Sequence, residues 1–170
     1  MLVFAPRGLL YLSFSLLLFR GCTPEEVEVT ETTANLQGNT QHAEAEVAET
    51  ITAIFTAIDQ REINTLLDFH AYGPAFTDFK DGLPRMGSAG NEASERALVD
   101  MISSFDYDLN DLQIDILSGT VAKVTFHADF RPTIQGVVYQ QLAQGTLIFV
   151  KLKGEWKIIH EHLSPLGPST

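Results

Sequence analysis

The sequence is poor in cysteine. Cys22 is the only one among 170 residues, so no disulfide can form within the chain and any fold must rest on a packed core. Basic residues are scarce too: 11 Lys and Arg stand against 22 Asp and Glu. A surface of that sign repels phosphate backbones, which argues against a nucleic-acid partner. No apolar run approaches the roughly 20 residues that cross a bilayer as a helix; the stretch Gly8 to Phe19 has 12. A glycine-rich phosphate loop, a nucleophile–base motif and a complete set of metal ligands are also missing, and the sequence implies no cofactor.

The first 22 residues differ from the rest. Arg7 is the one charge before the apolar run, which ends at Arg20-Gly21-Cys22, the layout of an export signal. Cys22, just after that run and a glycine, resembles the lipid-attachment site of bacterial lipoproteins. The chain is therefore expected in the cell envelope, lipid-anchored or secreted, with membrane contact only through this segment. Residues 23–41 hold four glutamates and no basic residue, and are expected to be a solvated tether. Residues 42–166 have ordinary apolar content and form one domain large enough for a core, with 167–170 as a tail. Beyond Cys22 the charge is 9 − 22 = −13, which keeps such a domain soluble.

Within the domain, Val47, Ile51, Ile54, Phe55 and Ile58 recur at helical spacing. Ile63, Leu66 and Leu67 begin a second, shorter helix that ends by Gly73-Pro74, and His70 near its close suits a helix C-terminus. A short strand over Phe76 to Phe79 and a polar loop follow. A third helix is expected from Glu92 to Ser104, with Ala97, Leu98, Met101 and Ile102 as its apolar stripe. The period then becomes two. Leu112, Ile114 and Ile116 alternate with polar residues, and from Val121 to Arg131 one face carries Ala122, Val124, Phe126, Ala128 and Phe130 while the other carries His127 and Asp129. A strand from Val137 to Leu152, the turn at Lys153-Gly154 and a last strand from Glu155 to Leu163 complete a meander. Helices first and antiparallel strands after make an α+β fold.

This order of elements, with "YGPAFTDF", "GTVAKVTF", "GTLIFVKLKGEW" and "WKIIHEHLSP", resembles the SnoaL-like domain of the nuclear transport factor 2-like superfamily over residues 44 to 165. The resemblance implies a curved antiparallel sheet wrapped around the N-terminal helices as a cone with an apolar cavity, often paired back to back through the outer sheet face. That fold hosts isomerases, dehydratases, cyclases, adaptors and an oligomerisation domain, so function rests on the pocket.

Alternation on the last strand separates Trp156, Ile158, His160 and His162 from Lys157, Ile159, Glu161 and Leu163. The spacing does not say which set is inside. The resemblance assigns Glu161 to the pocket with Ile159 and Leu163, and turns His160 and His162 outward. Burial of Glu161 among apolar neighbours suits a proton-transfer group; a solvated carboxylate at the cavity mouth is the plainer alternative. The two histidines have the spacing of metal ligands, but His42, His70 and His127 sit on other elements and no third ligand is evident. Asp78 lies in the region where relatives of this fold place a catalytic acid. Phe126 faces the cavity, and Tyr72, Tyr139 and Gln141 are candidates to hydrogen-bond a ligand carbonyl. Three readings follow: a pocket for a small hydrophobic or carbonyl-containing molecule, an acid/base enzyme using Glu161 or Asp78, and an oligomerising module. Thr146, Ile148, Val150, Trp156 and Ile158 are the apolar outer face through which a homodimer is expected.

Overall fold

The computed structural model describes residues 28–167; the expected export signal with Cys22, the start of the tether and the last three residues lie outside it. The order of elements is α1 Glu28–Asp59, α2 Ile63–Asp68, β1 Thr77–Lys80, α3 Ser88–Met101, β2 Ile102–Ser118, β3 Val121–Ile134, β4 Val137–Val138, β5 Gln141–Leu152 and β6 Glu155–Pro165. Helices come first and a curved sheet follows, an α+β fold. The strands are ordered β1-β6-β5-β3-β2, with β4 paired to β3.

The sheet is mixed rather than antiparallel throughout. Strand β1 runs parallel to β6, with Asp78 beside Glu161, while the other strand pairs are antiparallel. Only long crossovers join β1 to β6, and such connections permit parallel pairing where a hairpin does not. The tight turns lie at Gln135-Gly136 and Lys153-Gly154, each with two successive positive φ angles, 52° and 79° in the first and 53° and 90° in the second. That geometry matches the twist of the flanking strands.

The core is where the periodicities put it. Helix α1 buries Val47, Ile51, Ile54, Phe55 and Ile58 against a sheet face made by Ala122, Val124, Phe126, Ala128 and Phe130 of β3, with Phe149 of β5 fully enclosed. Boundaries differ from expectation in four places. Helix α1 begins at Glu28, inside the stretch expected as a tether; its first turns are polar, so apolar spacing gives no signal there. Helix α3 stops at Met101 because Ile102 is already extended and opens β2. Its fully buried positions are Asn91, Glu95 and Val99, while Ala97, Leu98 and Met101 of the expected stripe line the cavity, Met101 with much of its surface exposed. The strand expected from Val137 to Leu152 is interrupted at Tyr139-Gln140.

The most consequential difference is in β6. Phe149 pairs with Ile158 but Ile148 pairs with His160, so Ile159 has no cross-strand partner. This bulge resets the alternation. Before it Trp156 and Ile158 point into the core, and after it Glu161 does. Trp156 and Ile158 therefore do not belong to the outer face, and Ile158 stands at the cavity wall in place of Ile159. Trp156 is also tied to α1: its indole N–H donates to Glu46 Oε2, which accepts from Lys151 as well.

Candidate functional site

Between α1, α3 and the concave sheet face lies a cavity of about 370 Å³, at the lower end of the range of small-molecule sites. Its walls include Phe55 from α1, Phe105 from β2, Phe126 and Phe130 from β3, and Leu147 from β5. Five ionisable side chains interrupt that apolar lining: His70, Lys80, Asp81, Glu95 and Glu161.

All but Asp81 are placed by distinct pieces of backbone. His70 follows the short helix α2 and is clamped between Phe69 and Ala71, which bond both sides of Ile158 on β6. Lys80 ends β1, two residues after Asp78 and so on the same face. Asp78 is fully buried because β6 lies on one side of its strand and Met86 bonds its backbone on the other. Asn91 and Glu95 come from one face of α3, whose first residue, Ser88, bonds both backbone groups of Gly73.

The hydrogen bonds fix the protons. His70 Nδ1 lies 3.1 Å from the carbonyl oxygen of Leu66, which can only accept, so Nδ1 carries hydrogen. His70 Nε2 lies 2.9 Å from Glu161 Oε1. One proton must therefore sit between imidazole and carboxyl, on one atom or the other. The second Glu161 oxygen accepts from Asn91 Nδ2 at 2.9 Å, and the same amide donates to Asp78 Oδ2 at 2.9 Å. Asn91 Oδ1 accepts from Tyr72 at 2.7 Å, and the Tyr72 ring stacks on His70. Lys80 donates to Glu95 at 2.7 Å and lies 3.8 Å from both Asp78 and Glu161. Asp78 Oδ1 is buried without a partner.

Burial acts most strongly on Glu161 and alone would raise its pKa, but the hydrogen bond from His70, the charges of Lys80 and His70 and the Asn91 amide together hold it below the usual carboxylate range. For His70 burial is again the largest single influence and pulls downward; the Glu161 bond and charge, with Glu95, outweigh it and raise the pKa. The resting pair is then imidazolium and carboxylate. Lys80 is likewise kept charged, with burial opposed by Glu95 and Glu161, and burial with the nearby carboxylates keeps the Tyr72 phenol protonated.

Of the residues singled out from sequence, Glu161, Phe126, Gln141 and Leu163 stand at the cavity wall. Asp78 and Tyr72 stand behind it, bonded to Asn91. Tyr139 is 52% exposed in the β4–β5 connection and does not reach the cavity, and Ile159 is displaced by the bulge. His160 and His162 pair with Ile148 and Thr146 on the other face, where His160 meets Thr77. Among the described residues no group of three or more potential ligands could hold a metal. Sequence reasoning missed Lys80, Asn91 and Glu95, and gave His70 only a helix-end role. Lys80 carried a usable signal, its spacing of two from Asp78.

Cavity, helix order and sheet topology together define the nuclear transport factor 2-like fold. The chain belongs to the SnoaL-like domain family, whose profile matches residues 47–168. A member of the nuclear transport factor 2-like family from Streptomyces avermitilis, provisionally assigned as a dehydratase, superposes with a TM-score of 0.68 at 20% identity, covering 75% of this chain and 99% of its own. A protein from Novosphingobium aromaticivorans, provisionally assigned as a scytalone dehydratase, gives 0.64 at 13%, covering 83% and 99%. A ketosteroid isomerase-like protein from Erwinia carotovora atroseptica gives 0.59 at 18%, covering 74% and 97%. At these identities the likeness is one of fold. No curated protein matches the sequence.

Proposed function

We propose that the domain encloses a small, largely apolar molecule with a carbonyl or hydroxyl end, and that the His70–Glu161 pair exchanges a proton with it, as in an isomerase, dehydratase or cyclase. The observation that carries this reading is the 2.9 Å contact between His70 Nε2 and Glu161 Oε1 at the wall of an apolar cavity. A carboxylate kept ionised and shielded from water can take a proton next to a carbonyl and give it back at another atom, while His70, bonded to Leu66 and Glu161, holds the carboxylate in place. Asn91 holds one oxygen of Glu161 and His70 the other, which fixes the carboxylate in orientation and leaves its remaining lone pairs for the transfer. The provisional dehydratase assignments and the isomerase-like neighbour agree with this chemistry, although the fold alone does not require it.

The test is proton exchange. 2-Tetralone, a bicyclic ketone, incubated with the protein in deuterated buffer should lose its α-proton NMR signal faster than in buffer alone, and Glu161→Gln should abolish the acceleration. Equal exchange in wild type and Glu161→Gln would exclude the assignment. The alternative of an oligomerising module calls for a filled or shallow cavity, and the open volume disfavours it as the main role. Export is proposed alongside, on the strength of the apolar run and of Cys22 beside it.

A further inference from the structure

The charges at the polar end of the cavity are unevenly matched. Asp81, Glu95 and Glu161 line it, and Asp78 lies directly behind, joined to Glu161 through Asn91. Against these four carboxyl groups stand two basic side chains, Lys80 and His70. Both are already paired with carboxyl groups. Lys80 is bound to Glu95 and lies 3.8 Å from both Asp78 and Glu161, and both nitrogens of His70 are committed, one to Leu66 and one to Glu161. Carboxyl groups therefore outnumber cations at this end, in surroundings where charges are poorly screened, so the local field is unfavourable to an anion.

We infer that the cavity excludes carboxylates and phosphates and takes an uncharged or cationic ligand, with Glu95 neutralising the one lysine that would otherwise attract an anion. This rests on the pocket reading above and narrows its substrate class. The aromatic walls agree with it: Phe55, Phe105, Phe126 and Phe130 offer ring faces that accept a hydrocarbon skeleton and tolerate a nearby cation. The net charge of −11 over the whole chain also disfavours the approach of anions.

Three probes that share one ring system test it by calorimetry on the full chain at neutral pH: 1-naphthaleneacetamide, 2-(1-naphthyl)ethylamine and 1-naphthaleneacetate. The amide and the amine should bind, and the acetate should bind at least about tenfold more weakly, a difference of about 1.4 kcal/mol. Glu95→Gln removes the charge that neutralises Lys80 and should narrow that gap several-fold. Asp81→Asn, at an exposed mouth position whose change leaves the fold alone, should narrow it less and serves if Glu95→Gln does not fold. Acetate binding as tight as amide binding in the wild type would overturn the inference and leave the pocket reading standing. A gap unchanged in both variants would overturn the role of the carboxylates. Binding of none of the three probes would overturn the inference and the pocket reading together.

Discussion

Glu161 makes different bonds with its two oxygens, to His70 through one and to Asn91 through the other. The pair it forms with His70 should mark the pH dependence of stability. The pKa of His70 is raised above its ordinary 6.5, so its contribution is complete below that value and is lost as pH rises through the folded-state pKa. The pKa of Glu161 is lowered below its ordinary 4.5, so its contribution is complete above 4.5 and is lost as pH falls through the folded-state pKa. Stability from the pair is therefore greatest between about 4.5 and 6.5 and declines on both sides. Glu161→Gln should lower stability by about 1–3 kcal/mol in that window and flatten both slopes, as read from urea midpoints measured across pH. A variant with the wild-type slopes would show that other groups set the pH dependence.

At the scale of elements, two contacts decide the shape of the cavity. Gly145 on β5 faces inward, and a Cβ added there would lie 2.4 Å from Phe126 Cζ and 2.9 Å from Leu163 Cδ2. Gly145→Ala must push the Phe126 ring aside. The expected cost is about 1–3 kcal/mol, with weaker binding of the naphthyl amide, checked by thermal melts and the same calorimetry. The second contact is the latch between α1 and the β5–β6 hairpin, where Glu46 accepts from Trp156 and Lys151. Glu46→Ala leaves the indole N–H of a buried tryptophan unpaired and should destabilise by about 1–3 kcal/mol. Because the latch lies apart from the polar cluster, proton exchange by the folded variant should be unchanged. A loss of exchange without a loss of stability would mean that the latch acts on the site.

For the whole molecule, the outer sheet face is the surface to explain. Thr146, Ile148 and Val150 are only half-buried there, beside His160 and an exposed Phe79. We propose that a second copy covers this face. Light scattering at tens of micromolar should give a dimer mass, and Ile148→Glu should give a folded monomer whose melting temperature is lower and no longer depends on protein concentration. A monomeric wild type would demand another cover. Among the described residues no helix is long and apolar enough to cross a membrane. Attachment to a membrane through the N-terminal segment is proposed from its apolar run and Cys22. Mature protein from its native host should begin near residue 22, and Cys22→Ser should release it from membranes if the cysteine carries lipid.

What the sequence determined by itself was whatever repeats at a short period. The helical spacing of Val47 to Ile58, the alternation of Ala122 to Phe130 and the Lys153-Gly154 turn are local consequences of which residues must leave water, and they identify the fold. The tertiary structure decided everything that depends on two distant segments meeting. The bulge at Ile159 reverses the inward set of β6 partway along, and nothing in its own residues announces it, because register is settled by the partner strand. The parallel pairing that sets Asp78 beside Glu161 joins residues 83 positions apart. Asn91 and Glu95 stand on a helix of mixed composition with no pattern to single them out, and they are buried because Lys80, Asp78 and Glu161 arrive from the sheet to meet them. A polar group goes inside a protein only when its partners come with it, and those partners are neighbours in space before they are neighbours in any pattern along the chain.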